Sequence, residues 1–208
     1  VVSAGAQTAD DVVEKHLVAL GGRAALGKAT SQIATGTMAV STQMGEIAGT
    51  VEVTRKAPNK TRSLMVLDLS AMGAANLVID QRCDGKAGWA SNSMQGDREI
   101  TGNQLQGLIN ASFPSPLLNY KDLGGKVELA GKDTIGGRGA FVVVYTPKAG
   151  SAFRFFIDAE TFHIVKSITT GDVPESGGQI EQTTESTDYR EIEGIKLPFR
   201  LTMTNPMQ

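Results

Sequence analysis

Hydrophobic and polar positions recur with two different periods along this chain, and the change falls near Thr30. Before it, Val13, Leu17 and Leu20 share one face of a 3.6-residue repeat, flanked by Val12 and Ala19. Thr8 followed by Asp11 has the form of a capping box, and Gly21-Gly22 supplies a stop. One N-terminal helix is therefore predicted, with His16 at the edge of its apolar face and a further short turn over Arg23–Leu26.

Beyond Thr30 the period is two. Ile47, Gly49, Val51 and Val53 alternate with Ala48, Thr50, Glu52 and Thr54, the pattern of a strand with one wet face. Strands are predicted over Thr61–Leu69 and Asn76–Cys83, and Asp84-Gly85 turns the chain into a strand carrying Trp89. Thr101–Leu108 returns to helical spacing, and Pro116–Leu123 suggests a second short helix, separated from the first by Pro114 and Pro116.

Strands resume at Lys126. Gly136-Gly137-Arg138-Gly139 reads as a hairpin turn, and Phe141–Tyr145, apolar on both faces, as a central strand. Phe153–Asp158 and Phe162–Thr170 pair across a turn, and Pro174–Gly178 reads as a mobile loop. Ile180–Arg190 and Ile195–Met203 form a closing hairpin through Glu193-Gly194, where Pro198 suggests an edge position. The count is 10 to 11 antiparallel strands in a mainly β (α+β) chain, with no repeat or linker; one domain over residues 8–208 is expected.

Composition narrows the function. With 208 residues, 20 Lys and Arg against 22 Asp and Glu and a pI near 5.7, the chain lacks the concentrated positive charge that nucleic acid demands. No apolar run is long enough for a membrane-spanning helix. Val1–Ala6 ends in small residues at the spacing of an Ala-x-Ala cleavage site, so residues 1–7 read as the tail of a signal peptide and the chain as exported. Cys83, the single cysteine, allows no internal disulfide.

Catalytic signatures are missing. There is no Gly-x-Ser-x-Gly, no phosphate loop and no dinucleotide-binding fingerprint, and the carboxylate pairs Asp10-Asp11, Asp158/Glu160 and Glu191/Glu193 fall at a helix start or in turns. The reading is a non-enzyme with no cofactor and no metal site. Seven methionines, several on or beside strands (Met38, Met44, Met65, Met72, Met94), fit either core filling or an adaptable binding surface.

Two short phrases carry a family resemblance. Lys56 with Pro58-Asn59 closes one strand, and Asp84-Gly85-Lys86 with Trp89 forms a hairpin. In that order and spacing they resemble the LolA/LolB-like carriers that move lipoproteins to the bacterial outer membrane. Asp188-Tyr189-Arg190 through Gly194–Phe199 is similar to the closing hairpin of proteins assigned to lipoprotein sorting. The resemblance implies a single, strongly curved antiparallel sheet forming an incomplete barrel, with the N-terminal helix and the helical insert covering its open side. It implies a periplasmic carrier for lipoprotein acyl chains or another hydrophobic ligand, working with membrane-bound donor and acceptor proteins; the alternative is a non-catalytic scaffold domain with a filled interior.

Candidate cavity residues are Val51, Val53, Met65, Leu67, Leu77, Ile79, Trp89, Leu105, Leu108, Ile109, Phe141, Phe153 and Phe155. The arginine with which such carriers control cavity opening is replaced here by Ala57; Arg55, two residues earlier and on the same sheet face, is the gating candidate.

Overall fold

The computed structural model describes residues 7–43, 45–173 and 178–204. The small-residue N-terminus, Met44 and most of the Pro174–Gly178 loop lie outside the described residues. By backbone contacts the chain divides into two compact units, Ala29–Ser115 and the combination of the residues up to Lys28 with those from Pro116 onward.

Six strands make the Ala29–Ser115 unit: β1 (Ser31–Thr42), β2 (Gly45–Lys56), β3 (Lys60–Leu67), β4 (Leu77–Cys83), β5 (Gly88–Asn92) and β6 (Gly96–Ile100). They form an antiparallel meander in sequence order, because every connection is a short hairpin or loop. Helix α3 (Gly102–Asn110) follows.

In the other unit, α1 (Ala9–Ala19) and α2 (Gly22–Lys28) precede a second meander of β7 (Lys126–Ile135), β8 (Arg138–Thr146), β9 (Phe153–Asp158), β10 (Ile164–Val173), β11 (Gly178–Ile192) and β12 (Ile195–Thr204). The capping box is present: Thr8 N donates to Asp11 Oδ2 at 2.9 Å and Asp11 N to Thr8 Oγ1 at 3.2 Å. α1 buries Val12, Val13, His16 and Leu17. Its end is stitched to the last hairpin, where Lys196 N donates to the Leu20 carbonyl at 2.9 Å.

This core is dry. Val12, Leu17, Leu26, Leu117, Val143 and Ile157 have no exposed surface, and an aromatic ladder runs Tyr120–Tyr145–Phe153–Phe155 with centroid steps of 6.3, 5.7 and 5.9 Å. Pro198 does lie on an edge strand, since β12 ends its sheet.

Four expectations need correction. Among the described residues the strands number twelve, because β1 and β6 do not separate by alternation alone. They hydrogen-bond as two six-stranded sheets and not as one, since residues 101–125 between β6 and β7 carry a helix and turns in place of a hairpin. Pro116–Leu123 forms turns and no second helix, although Leu117, Leu118 and Tyr120 are all buried. Phe141–Tyr145 (β8) is an interior strand between β7 and β9, but only its Phe141, Val143 and Tyr145 face is fully buried, Val142 and Val144 being half-buried.

Candidate functional site

Register assigns the candidates to faces. In an antiparallel pair, directly opposed residues share a face. Val51 stands opposite Met65, Met65 opposite Ile79 and Ile79 opposite Asn92, giving one continuous row across β2 to β5. The next row towards the β1–β2 turn holds Met38, Gly49, Leu67 and Leu77. On the other side lies Ala34–Val53–Ser63–Gln81–Ala90–Arg98, and beyond it Gln32–Arg55–Thr61–Cys83–Gly88–Ile100.

Six predicted cavity residues, Val51, Val53, Met65, Leu67, Leu77 and Ile79, thus share one face, together with the gating candidate Arg55. The face is graded: apolar through its first two rows, mixed through its last two, which carry Arg55 and Arg98 beside Val53, Cys83 and Ile100.

Helix α3 meets the mixed end. A β-carbon at Gly88 would lie 3.1 Å from Leu105 Cδ1 and 2.9 Å from Ile100 Cβ, so the glycine is what lets the helix sit close to β5. Three residues past the helix, Phe113 N donates to the Pro58 carbonyl at 2.8 Å, tying the segment to the β2–β3 turn. Leu105, Leu108 and Ile109 are half-buried, and α3 has no fully buried residue. Val51, Val53, Met65, Leu77 and Ile79 are half-buried too; of the six sheet candidates only Leu67 is buried.

The structure does not bring Trp89 to this face. It stands on the opposite one, 48% exposed, between Arg82 and Glu99 in register. Period-two counting from Gly88 would have placed it there. Phe141, Phe153 and Phe155 belong to the other unit, where all three are buried: Phe153 and Phe155 in the ladder, Phe141 stacked on Phe162 at 6.1 Å.

That opposite face mixes apolar side chains, among them Ile33, Leu64, Val66, Val78 and Trp89, with an ion-paired cluster. Asp80, buried, accepts from Arg82 Nη2 at 2.6 Å and Arg62 Nη2 at 2.8 Å, and these two arginines hold its carboxyl far below the usual range. A concavity of about 430 Å³ also opens there, lined by Thr35, Thr37, Thr50, Glu52, Leu64 and Val66. Arg55 is placed otherwise. It is exposed, and its guanidinium donates to Gln32 Oε1 at 3.2 Å.

The two motif turns adjoin. Asn59, at the β2–β3 turn, packs its side-chain amide against Gly85, at the β4–β5 turn, where Asp84 Oδ1 accepts from Lys86 N at 2.8 Å and Ala87 N at 2.9 Å. Their spacing in the sequence reflects this junction.

No protein-family model matches the chain, and no curated protein does either. Solved structures do. A LolA superfamily protein from Nitrosomonas europaea aligns over 96% of this chain and 86% of its own, with a TM-score of 0.55 at 15% identity. A DUF1329 family protein from Desulfovibrio piger aligns over 96% and 87%, with a TM-score of 0.56 at 10% identity. The fold is LolA-like. MucB in complex with MucA(peri) aligns with a TM-score of 0.32, too low to bear on fold or partner.

Among the described residues there is no group of three or more His, Cys, Asp or Glu arranged to hold a metal ion, and no helix long and apolar enough to cross a membrane.

Proposed function

We propose that this protein is a periplasmic carrier that takes up the acyl chains of lipoproteins, or a similar hydrophobic ligand, for transport towards the outer membrane. One observation carries the reading: the apolar rows of the Ala29–Ser115 sheet and the apolar side of α3 remain half-buried, while the other unit takes Val12, Leu17, Leu26, Val143 and Ile157 completely out of solvent. Apolar surface left in water is a free-energy reservoir of about 25 cal/mol per Å², recovered when hydrocarbon covers it. Met38 and Met65 lie on this face, and unbranched thioethers repack around ligands of different shape.

The role is non-catalytic. Binding and release need only competition for the apolar rows, supplied by membrane-bound donor and acceptor proteins. Arg55 retains the gating role in this proposal, since it stands on the same face beside the β2–β3 turn to which the segment after α3 is tied.

Native mass spectrometry of the exported protein, with organic extraction of whatever copurifies, tests the carrier reading. Recovery of acyl species at near one per chain supports it. A folded protein that carries none and takes up no acyl probe defeats it.

A second reading has its own support. Phe199, Leu201 and Met203 stand 51, 49 and 58% exposed along the edge strand β12, a stripe suited to protein docking. Charge substitution at Leu201 that abolished a pull-down partner while sparing acyl uptake would favour the interaction-domain role.

A further inference from the structure

The graded face of the Ala29–Ser115 unit carries more than hydrophobicity. Arginines occur on both faces of this sheet, and their partners differ. On the opposite face Arg62 and Arg82 share the Asp80 carboxylate. On the graded face Arg55 has the Gln32 amide oxygen and Arg98 the Gln104 amide oxygen, at 3.2 and 3.0 Å. Among the described residues neither has a carboxylate within salt-bridge distance. A neutral amide oxygen satisfies one donor of a guanidinium and none of its charge.

We propose that the occupant of this face is a fatty acid: one acyl chain along the Val51–Met65–Ile79 row and the Leu67–Leu77 row, with its carboxylate on Arg55. The assignment rests on the hydrophobic-ligand reading above and names the ligand class.

Three features support it. The first is charge. A guanidinium with one neutral partner keeps a fork free for bidentate carboxylate binding, which a neutral ester or alcohol cannot use. The second is length. Along β2, Arg55 is four residues from Val51 and six from Gly49, about 13 and 20 Å at strand rise. One leaflet of a bilayer's ~30 Å hydrocarbon core is about 15 Å deep, so a long chain with its head at Arg55 spans the apolar rows. The third is valence. Arg98 lies four strands away from Arg55, roughly 19 Å at the usual strand spacing, so each arginine meets its own anion and a monoanionic head is matched one to one.

The test uses the intact protein and a neutral fluorescent reporter, N-phenylnaphthylamine, displaced by palmitate, 1-hexadecanol or palmitoyl lysophosphatidate. Palmitate should displace the reporter at a concentration about 10-fold below hexadecanol, the size of one charge-assisted contact. In Arg55→Gln the two should converge through a loss of palmitate affinity alone, with hexadecanol unchanged. Arg55→Lys, which keeps the charge and loses the fork, should fall between, and it reads the headgroup even if the Gln variant folds poorly. Equal displacement by palmitate and hexadecanol in the unaltered protein overturns the fatty-acid assignment and leaves the hydrophobic-ligand reading standing. Stronger displacement by lysophosphatidate than by palmitate overturns the carboxylate assignment in the same way. No reporter binding at all defeats both together.

Discussion

The side chain of Asn59 occupies the space that a β-carbon on Gly85 would need, and Gly85 itself has a φ of +94°. Two turns 26 residues apart in sequence are thereby locked against each other. Alanine at 85 meets two penalties: a left-handed backbone, about 1–2 kcal/mol, and displacement of the amide. Gly85→Ala should lower unfolding free energy in urea by about 2–3 kcal/mol. Adding Asn59→Ala should recover the steric part and leave the backbone part, so the double variant falls between. A double variant no better than the single one would remove the junction from the explanation.

The contrast between the units can be measured by truncation. Phe155 is buried in the aromatic ladder, so Phe155→Ala should cost about 3–5 kcal/mol of stability. Met65 is half-buried on the open face, so Met65→Ala should cost about 1 kcal/mol or less while weakening acyl-probe binding several-fold. Denaturation and probe titration on both variants separate a packed core from a ligand surface. Equal stability losses would mean that the face is already filled.

Acid should reach this protein partly through His16. Its side chain is 1% exposed, Nδ1 donates to the Phe162 carbonyl at 2.8 Å, and burial pushes its pKa down to about 4 from an ordinary 6.5. The folded state therefore holds it neutral while the unfolded chain takes up a proton. Its contribution is complete above pH 6.5 and is lost as pH falls from there to about 4. His163, also lowered by burial, acts in the same direction. His16→Asn, whose amide can still donate to Phe162, should flatten the stability loss between pH 6.5 and 4 in chemical denaturation series. An unchanged slope would assign the acid response elsewhere.

Asp80 sets a separate, more acidic limit. The hydrogen bonds from Arg82 and Arg62 hold its pKa below the unfolded value near 3.8. Stability from this carboxylate is present above that value and fades as pH falls below it. Both arginines are substantially exposed, so the pairing is screened, and Asp80→Asn should cost only about 1–2 kcal/mol at pH 7. The same variant should lose less stability than the unaltered protein below pH 4.

What the amino-acid order determined by itself is local. The Thr8/Asp11 cap, the Gly136-Gly137 and Glu193-Gly194 turns, the alternation of β2 and the edge position of Pro198 each depend on a few neighbouring residues. Period-two alternation also put Val51, Val53 and Arg55 on a common face, which the register shows. Tertiary structure decided the rest. Alternation says which residues share a strand face, but it is silent on whether that face is buried or half-buried, and Phe155 and Val51 read alike until their surroundings are known. Division into two sheets depended on how residues 101–125 fold between β6 and β7, a matter of non-local hydrogen bonding that no short window contains. The partners of the arginines, Asp80 for two and glutamine amides for two, likewise exist only once strands far apart in sequence lie side by side.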